Sequence, residues 1–74
     1  RHVEVGEVFA ANGALVDIMG KGVAKIKLGE KLLVKTAQGD YTIIAGENMH
    51  TKLKAKASPA AAARLKKGDK VYRK

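Results

Sequence analysis

Two histidines and a few carboxylates are the residues of this sequence that could hold a metal ion. His50 lies close along the chain to Glu47, with Asp40 further upstream, and His2 is the only other histidine. A protein metal site needs three or four convergent ligands, held in place by hydrogen bonds to surrounding groups. His2 lies next to a chain end, where fraying is expected. The pattern therefore favours two surface histidines, and we expect no metal and no other cofactor.

The residues that could act in catalysis have simpler structural roles. Ser58 is the only serine and is followed by Pro59, which is typical of a helix N-cap and not of a glycine-flanked nucleophile. The carboxylates Glu4, Glu7 and Asp17 fall on facing strands of a predicted hairpin, where lysines of neighbouring strands would balance them. So short a chain also leaves little volume for a ligand pocket of about 300 Å³ or more. We therefore expect no enzyme.

The strongest chemical signal is the uneven distribution of positive charge. Residues 51–74 contain nine Lys or Arg and one acid, whereas residues 1–50 contain six basic and six acidic residues, so the formal charge of +8 lies in the last third. Lysines at 52, 54 and 56 alternate with apolar residues, which predicts a strand with lysines about 6.6–6.8 Å apart on one face. Phosphates along a nucleic-acid strand are spaced on a similar scale. The candidate polyanion-contacting residues are Lys52, Lys54, Lys56, Arg64, Lys66, Lys67, Lys70 and Arg73, and Lys74 could extend them.

The basic last third is also compatible with roles that involve no nucleic acid. Lysines on an outer strand discourage edge-to-edge pairing of sheets, and we prefer this interpretation because charge alone is a non-specific signal. Anionic lipid head groups or another anionic surface would attract the same residues. Nucleic-acid binding ranks lower, because recognition of single strands uses aromatic residues among the charges and none lies between Thr51 and Val71.

These side chains must be positioned by one small domain, spanning residues 1–74, without disulfides, since the chain contains no cysteine. Asn12–Gly13 lies between two runs rich in β-branched residues and predicts a hairpin with a type I′ turn. At Gly6 the apolar alternation changes phase, which predicts a bulge or bend. Lys25 and Lys27 alternate with apolar residues and predict a strand after the turn "GKG".

The remaining segments complete an all-β pattern. Strands in "KLLVKT", "YTII" and "MHTKLKAKA" are separated by turns or loops at Gly29–Glu30, "AQGD" and "AGEN". Ser58 would cap a helix over residues 60–67 that stops at Gly68, and "GDKVYRK" would form a last strand. We therefore predict a small SH3-like barrel or roll of five to six short strands with one short helix near the C-terminus. The expected core comprises Val5, Val8, Ala10, Val16, Ile18, Val23, Ile26, Leu28, Leu32, Val34, Ile43, Leu53, Leu65 and Val71.

Three large apolar residues fall outside this core pattern. Alternation places Phe9, Leu15 and Leu33 on the outer surface, and exposed apolar side chains that cluster mark contact surfaces. We take these three residues as candidate protein contacts.

The order of the motifs resembles a known family. "VGEVFAANGALVDI", "GVAKIKLGEKLLV" and "SPAAAARLKKGDKV" are similar to the C-terminal domain family of the flagellar assembly protein T. The matching positions are turn glycines and strand valines over nearly the whole chain. The resemblance implies a non-catalytic barrel of the Src-homology kind in a periplasmic or envelope protein, docked to a larger assembly or to other domains of its own chain. Because the chain begins with Arg1, we expect a mature part or fragment of a longer protein.

A second resemblance supports the alternative function. "LKKGDKVYRK" is similar to the start of a ribosomal-type RNA-binding barrel motif, in which "KKGD" opens a strand. That resemblance implies a cytoplasmic RNA-binding barrel that uses the basic last third. The two functional hypotheses are thus a protein-interaction module and an RNA-binding module.

Overall fold

The strands close into a complete antiparallel barrel. A computed structural model describes residues 2–74. Its six strands are β1 (Val3–Asn12), β2 (Leu15–Met19), β3 (Lys31–Thr36), β4 (Gly39–Asn48), β5 (Lys52–Lys56) and β6 (Lys70–Arg73). A 3-10 helix spans Lys21–Lys25, and a short helix, α1, spans Pro59–Ala62. The strands pair in the order β1-β2-β5-β4-β3-β6, and β6 returns to β1. The predicted small all-β barrel with one short α-helix is confirmed.

The interior of the barrel is an aliphatic core. Twelve of the fourteen predicted core residues are buried, and Val8, Ile18 and Leu53 are among those with no exposed surface. Two predictions are wrong, because Ala10 is exposed and Leu28 is 80% exposed. The predicted core also omits five residues that are buried, four of them alanines: Leu33, Ala45, Ala55, Ala61 and Ala62.

The first hairpin turns one residue later than predicted. Asn12 pairs with Leu15, so the two-residue loop is Gly13–Ala14. Gly13 has a φ of 65°, and Asn12 is not among the residues with positive φ. A type I′ turn centred on Asn12–Gly13 needs positive φ at both residues, so that turn assignment is wrong although the hairpin is confirmed.

β1 contains two bulges, and the change of apolar phase at Gly6 in the sequence predicts the first of them. The pairing with β6 shifts between Glu4 and Gly6, as the predicted irregularity at Gly6 requires. The pairing with β2 shifts again between Val8 and Ala10. This second bulge reverses the side-chain phase a second time, because an extra residue in one strand changes which residues face inward. Ala10 therefore faces out and is exposed.

The segment after β2 is a 3-10 helix where a strand was predicted. Val23 and Ile26 are buried while Leu28 is exposed, and a spacing of three residues is the period of a 3-10 turn. The amide of Asn48 donates to the carbonyl oxygens of Val23 and Ile26, at 2.6 and 2.9 Å. These bonds satisfy carbonyls that a strand would pair with a neighbour. Asn48 belongs to β4, which continues through the predicted "AGEN" loop.

The α-helix begins as predicted and ends early. The Ser58 hydroxyl accepts a hydrogen bond from the Ala61 amide at 3.1 Å, as expected for an N-cap. The predicted helix over residues 60–67 is wrong in length, because regular helix ends at Ala62. The following amides, of Arg64 and Leu65, bond three residues back in tighter turns. No helix within residues 2–74 has the length and apolar character needed to cross a membrane.

Candidate functional site

A groove on the barrel surface forms where two glycines bring strands into close contact. A Cβ on Gly20 would lie 2.4 Å from the Cα of Gly6, and a Cβ on Gly6 would lie 2.4 Å from the carbonyl oxygen of Met19. Any larger residue at either position would push the backbones apart. The absence of side chains here leaves a floor of bare backbone between β1 and the end of β2.

Larger side chains rise around this floor and create what we call the Phe9 groove, with a volume of about 530 Å³. Phe9 and Met19 line it and are 46% and 39% exposed. Phe9 sits at the second bulge of β1 and faces outward beside the floor, because it follows the inward residue Val8. The expectation that so short a chain leaves little pocket volume is wrong. The groove residues are Glu4, Val5, Gly6, Glu7, Phe9, Met19, Gly20, Lys21 and Gly22.

A second depression continues the groove beyond Met19. It has a volume of about 490 Å³ and shares Met19, Gly20 and Lys21 with the Phe9 groove. Its far side is formed by Ala24, His50 and Thr51. Met19 and Lys21 thus form a ridge between two adjoining hollows, so an extended ligand could contact both.

The carboxylates of the groove are engaged in ion pairs. The Lys70 ammonium lies 3.8 Å from a carboxylate oxygen of Glu4 and 3.1 Å from one of Glu7. The hydrogen bond to Glu7, together with the two negative charges, raises the pKa of Lys70. On the neighbouring face Asp17 pairs with Lys52 at 3.7 Å. The expectation that lysines of adjacent strands balance these three acids is confirmed.

Two of the three candidate protein contacts are exposed, and they lie on different surfaces. Phe9 belongs to the groove, where the Lys67 ammonium lies 5.1 Å from its ring centroid. Leu15 is 53% exposed and pairs with Lys56 of β5. Leu33 is only 9% exposed, so its prediction as a contact residue is wrong.

Neighbouring side chains account for the burial of Leu33. It faces outward between Thr42 and Tyr72, its partners in the adjacent strands. The Lys35 ammonium lies over the Tyr72 ring at 4.8 Å, and Lys74 donates to the Thr42 hydroxyl at 3.0 Å. Long side chains therefore cover an outward leucine, which alternation alone does not reveal.

The structure divides the candidate polyanion-contacting residues between two sides of the barrel. β5 carries Lys52, Lys54 and Lys56 on its outer face and buries Leu53 and Ala55, as predicted. β6 carries Lys70 and Arg73, and in the closed ring two strands separate it from β5 in either direction. The two groups therefore lie on opposite sides and do not form one continuous basic surface.

The basic residues of the β6 side are mostly engaged with neighbours. Arg73 donates through Nε and a terminal nitrogen to both carboxylate oxygens of Glu30, at 2.6 and 3.3 Å. This pairing lowers the pKa of Glu30 and raises that of Arg73. Arg64 donates to the side-chain oxygen of Gln38 at 3.2 Å. Lys66 is exposed at the turn before β6.

The prediction that the β5 lysines protect a sheet edge against edge-to-edge pairing is also wrong. β5 pairs with β2 on one side and with β4 on the other. A closed barrel has no free edge to protect. The lysines of β5 therefore do not serve to shield an unpaired strand.

The residues considered for a metal site do not converge. Asp40 and Glu47 lie towards opposite ends of β4, about 23 Å apart at ~3.3 Å per residue. Within residues 2–74 no group of three or more His, Asp or Glu side chains is arranged to hold a metal ion.

Comparison with known protein families, with curated proteins and with solved structures finds no match to this chain.

Proposed function

We propose that this domain is a non-catalytic protein-interaction module that binds an extended, acidic segment of a partner protein in the Phe9 groove. The observation that carries the proposal is the exposed pair Phe9 and Met19 beside the bare backbone of Gly6 and Gly20. Partly exposed aromatic and Met side chains around a pocket are typical of protein contact sites. An apolar side chain of the partner would lie between them.

The charges around the groove favour an acidic partner segment. Lys70 bridges the carboxylates of Glu4 and Glu7. Lys21 lines the groove, and Lys67 lies over the Phe9 ring. Lys67 and Lys70 lie at the rim of the groove and not in its lining. Counted with Lys21, they place three ammonium groups around two carboxylates, and the whole chain carries a formal charge of +8. Complementary charge steers a partner to such a surface and selects against basic competitors.

The wider setting rests on the family resemblance. A barrel of the SH3-like type in a bacterial envelope or flagellar-type assembly protein, located in the periplasm, fits an interaction module that docks to a larger assembly. Fractionation of cells expressing the native protein would test this setting. Recovery in the cytoplasmic fraction would contradict it and favour the RNA-binding alternative.

RNA binding has less support than groove binding. It would need the basic residues to act together, whereas β5 and β6 lie on opposite sides of the ring. Lys70 and Arg73 are also paired with carboxylates. We therefore keep protein interaction as the conclusion.

Selection of ligands from a library of random peptides tests the groove. We expect the selected peptides to combine an apolar residue with nearby Asp or Glu. Phe9→Ala should weaken their binding by about thirtyfold, which corresponds to the loss of about 2 kcal/mol at an interface hot spot. Leu15→Gln is the matched control, because Leu15 is exposed outside the groove. Selected peptides that bind Phe9→Ala as tightly as the native domain would refute the proposal.

A further inference from the structure

The outer surface of β5 combines lysines with exposed aliphatic side chains. Lys56 pairs with Leu15 of β2 on one side and with Ile44 of β4 on the other, and Ile44 pairs in turn with Lys31 of β3. Paired residues on one face of a sheet have Cβ atoms about 4.5–5.5 Å apart. A continuous row therefore crosses four strands. We call the surface formed by Leu15, Lys31, Ile44, Lys52, Lys54 and Lys56 the β5 face.

The aliphatic members of this row are open to solvent. Leu15 is 53% exposed and Ile44 is 37% exposed. They flank a lysine instead of another apolar residue, so they do not cover one another. An apolar side chain held between ammonium groups suits a ligand that is both apolar and anionic.

The positive charge of the β5 face is only partly balanced. Asp17 lies opposite Lys54 in the β2–β5 register and forms an ion pair with Lys52 at 3.7 Å. Within residues 2–74 no carboxylate lies in salt-bridge distance of Lys54 or Lys56. Glu47, near the end of β4, is the other acid beside this face. Four lysines against two acids leave a net positive surface.

The chemistry of the β5 face distinguishes between classes of ligand. Lysine is depleted from the cores of protein interfaces. Because Lys54 lies at the middle of β5, the β5 face is a poor match for a protein ligand. Single-stranded nucleic acid binds where aromatic side chains stack on bases, and the β5 face has none. A lipid surface suits both the lysines and the aliphatic side chains of the β5 face. Aliphatic groups enter the head-group layer, while lysines extend to the phosphates.

We propose that the β5 face binds the surface of an anionic lipid bilayer. Leu15 and Ile44 enter the head-group region, and Lys54 and Lys56 contact the lipid phosphates. This binding is peripheral and uses a surface that contains no residue of the Phe9 groove. The lipid-binding proposal can therefore be tested independently of the proposed peptide binding.

Vesicle co-sedimentation of the whole chain tests the proposal. The probe is a phosphatidylcholine vesicle containing about one third phosphatidylglycerol, at about 0.1 M salt, where surface charges are screened beyond ~10 Å. The double variant Lys54→Gln, Lys56→Gln should bind about 25-fold more weakly, because each lysine near an anionic surface contributes about 1 kcal/mol, or about fivefold. Neutral phosphatidylcholine vesicles should bind little protein.

The matched control removes the same charge elsewhere. Lys35 and Lys66 are exposed outside the β5 face, and Lys35 lies opposite Lys70 on the β6 side. The double variant Lys35→Gln, Lys66→Gln should lose less than about threefold, since it changes only the long-range attraction. Equal losses in the two double variants would overturn the proposal, because they would show that net charge alone drives the binding. Absence of binding to the anionic vesicles would also overturn it.

Leu15→Gln separates lipid from nucleic acid. This change removes an aliphatic group and no charge, so we expect at least about a threefold loss on anionic vesicles and no loss on duplex RNA. If the native domain binds duplex RNA more tightly than vesicles and Leu15→Gln leaves vesicle binding unchanged, the surface is a nucleic-acid site and the proposal fails. Thermal unfolding by circular dichroism confirms that each variant is folded.

Discussion

Gly6 provides a sharp test of the close contact between β1 and the end of β2, which forms the floor of the Phe9 groove. The φ angle of Gly6 is not in the left-handed region, so alanine can adopt its backbone conformation. At an uncrowded site of this kind, Gly→Ala stabilises a protein by about 0.4–1 kcal/mol, because the unfolded chain loses freedom. Here the new Cβ would lie 2.4 Å from the carbonyl oxygen of Met19 and 3.0 Å from its carbonyl carbon. The two backbones must separate, so the crowding should reverse the sign.

The expected size follows from the cost of overpacking, which is typically 1–3 kcal/mol. We expect Gly6→Ala to lower the free energy of unfolding by about 2 kcal/mol and the melting temperature by roughly 10–15 °C. Urea and thermal unfolding followed by circular dichroism measure both quantities. Gly29→Ala is the control, because Gly29 has a φ of 85° and, apart from its chain neighbours, no atom of residues 2–74 lies within 4 Å of the added Cβ. It reports backbone strain alone, about 1 kcal/mol. A Gly6→Ala protein as stable as the native chain would refute the close contact.

Three other predictions concern the core, one ion pair and the helix cap. Leu53→Ala, at a site with no exposed surface, should cost about 2–5 kcal/mol, whereas Leu28→Ala, at a site 80% exposed, should stay within about 0.5 kcal/mol in urea unfolding. Arg73 lowers the pKa of the Glu30 carboxyl below its ordinary value of 4.5, so the pair stabilises the fold above about pH 4.5 and this contribution disappears as the pH falls through the lowered pKa. Stability measured at about pH 6 and about pH 3 should therefore differ less in Arg73→Gln than in the native chain, and an equal difference would contradict the assignment. Ser58→Ala should cost about 0.5–2 kcal/mol through loss of the N-cap, while Ser58→Asp, which keeps a capping oxygen, should remain near native stability in the same assay.

Alternation and turn residues predicted most of the barrel because those signals are local. The period-two pattern of residues 52–56 fixed both the strand and its buried side. Ser58 and Pro59 located the start of the helix for an equally local reason, since capping involves only a few neighbouring residues. The predictions failed where two structures share one pattern. Ile26 and Leu28 alternate with lysines as in a strand, whereas Val23 and Ile26 have the three-residue spacing of a 3-10 turn. Asn48, more than 20 residues away, favours the turn through its hydrogen bonds.

Side-chain length set another limit on prediction from the sequence. Phe9 and Leu33 both face outward, yet Phe9 is 46% exposed and Leu33 only 9%. Leu33 lies beside Tyr72 and Thr42, which hold Lys35 and Lys74 over the surface. Phe9 lies beside the glycine floor and stays exposed although the Lys67 ammonium lies over its ring. Which outward residue stays open therefore depends on its neighbours in adjacent strands, and those are known only once the pairing is known.

Strand order also decides what the basic last third can do. Along the chain Lys56 and Lys70 are separated by one short helix and its flanking turns, so the sequence alone predicts that they belong to one basic region. In the ring they lie on opposite sides, because β5 inserts between β2 and β4 while β6 closes the gap between β3 and β1. Lys70 then meets Glu4 and Glu7 and is balanced, whereas Lys56 meets Leu15 and Ile44 and keeps its charge open to a ligand. Folding thus separates one basic segment into two groups: Lys70 and Arg73 pair with carboxylates on the β6 side, while the lysines of β5 lie on the opposite side. On the β5 face the lysines lie beside the exposed side chains of Leu15 and Ile44, and our proposal of binding to an anionic lipid surface rests on this combination.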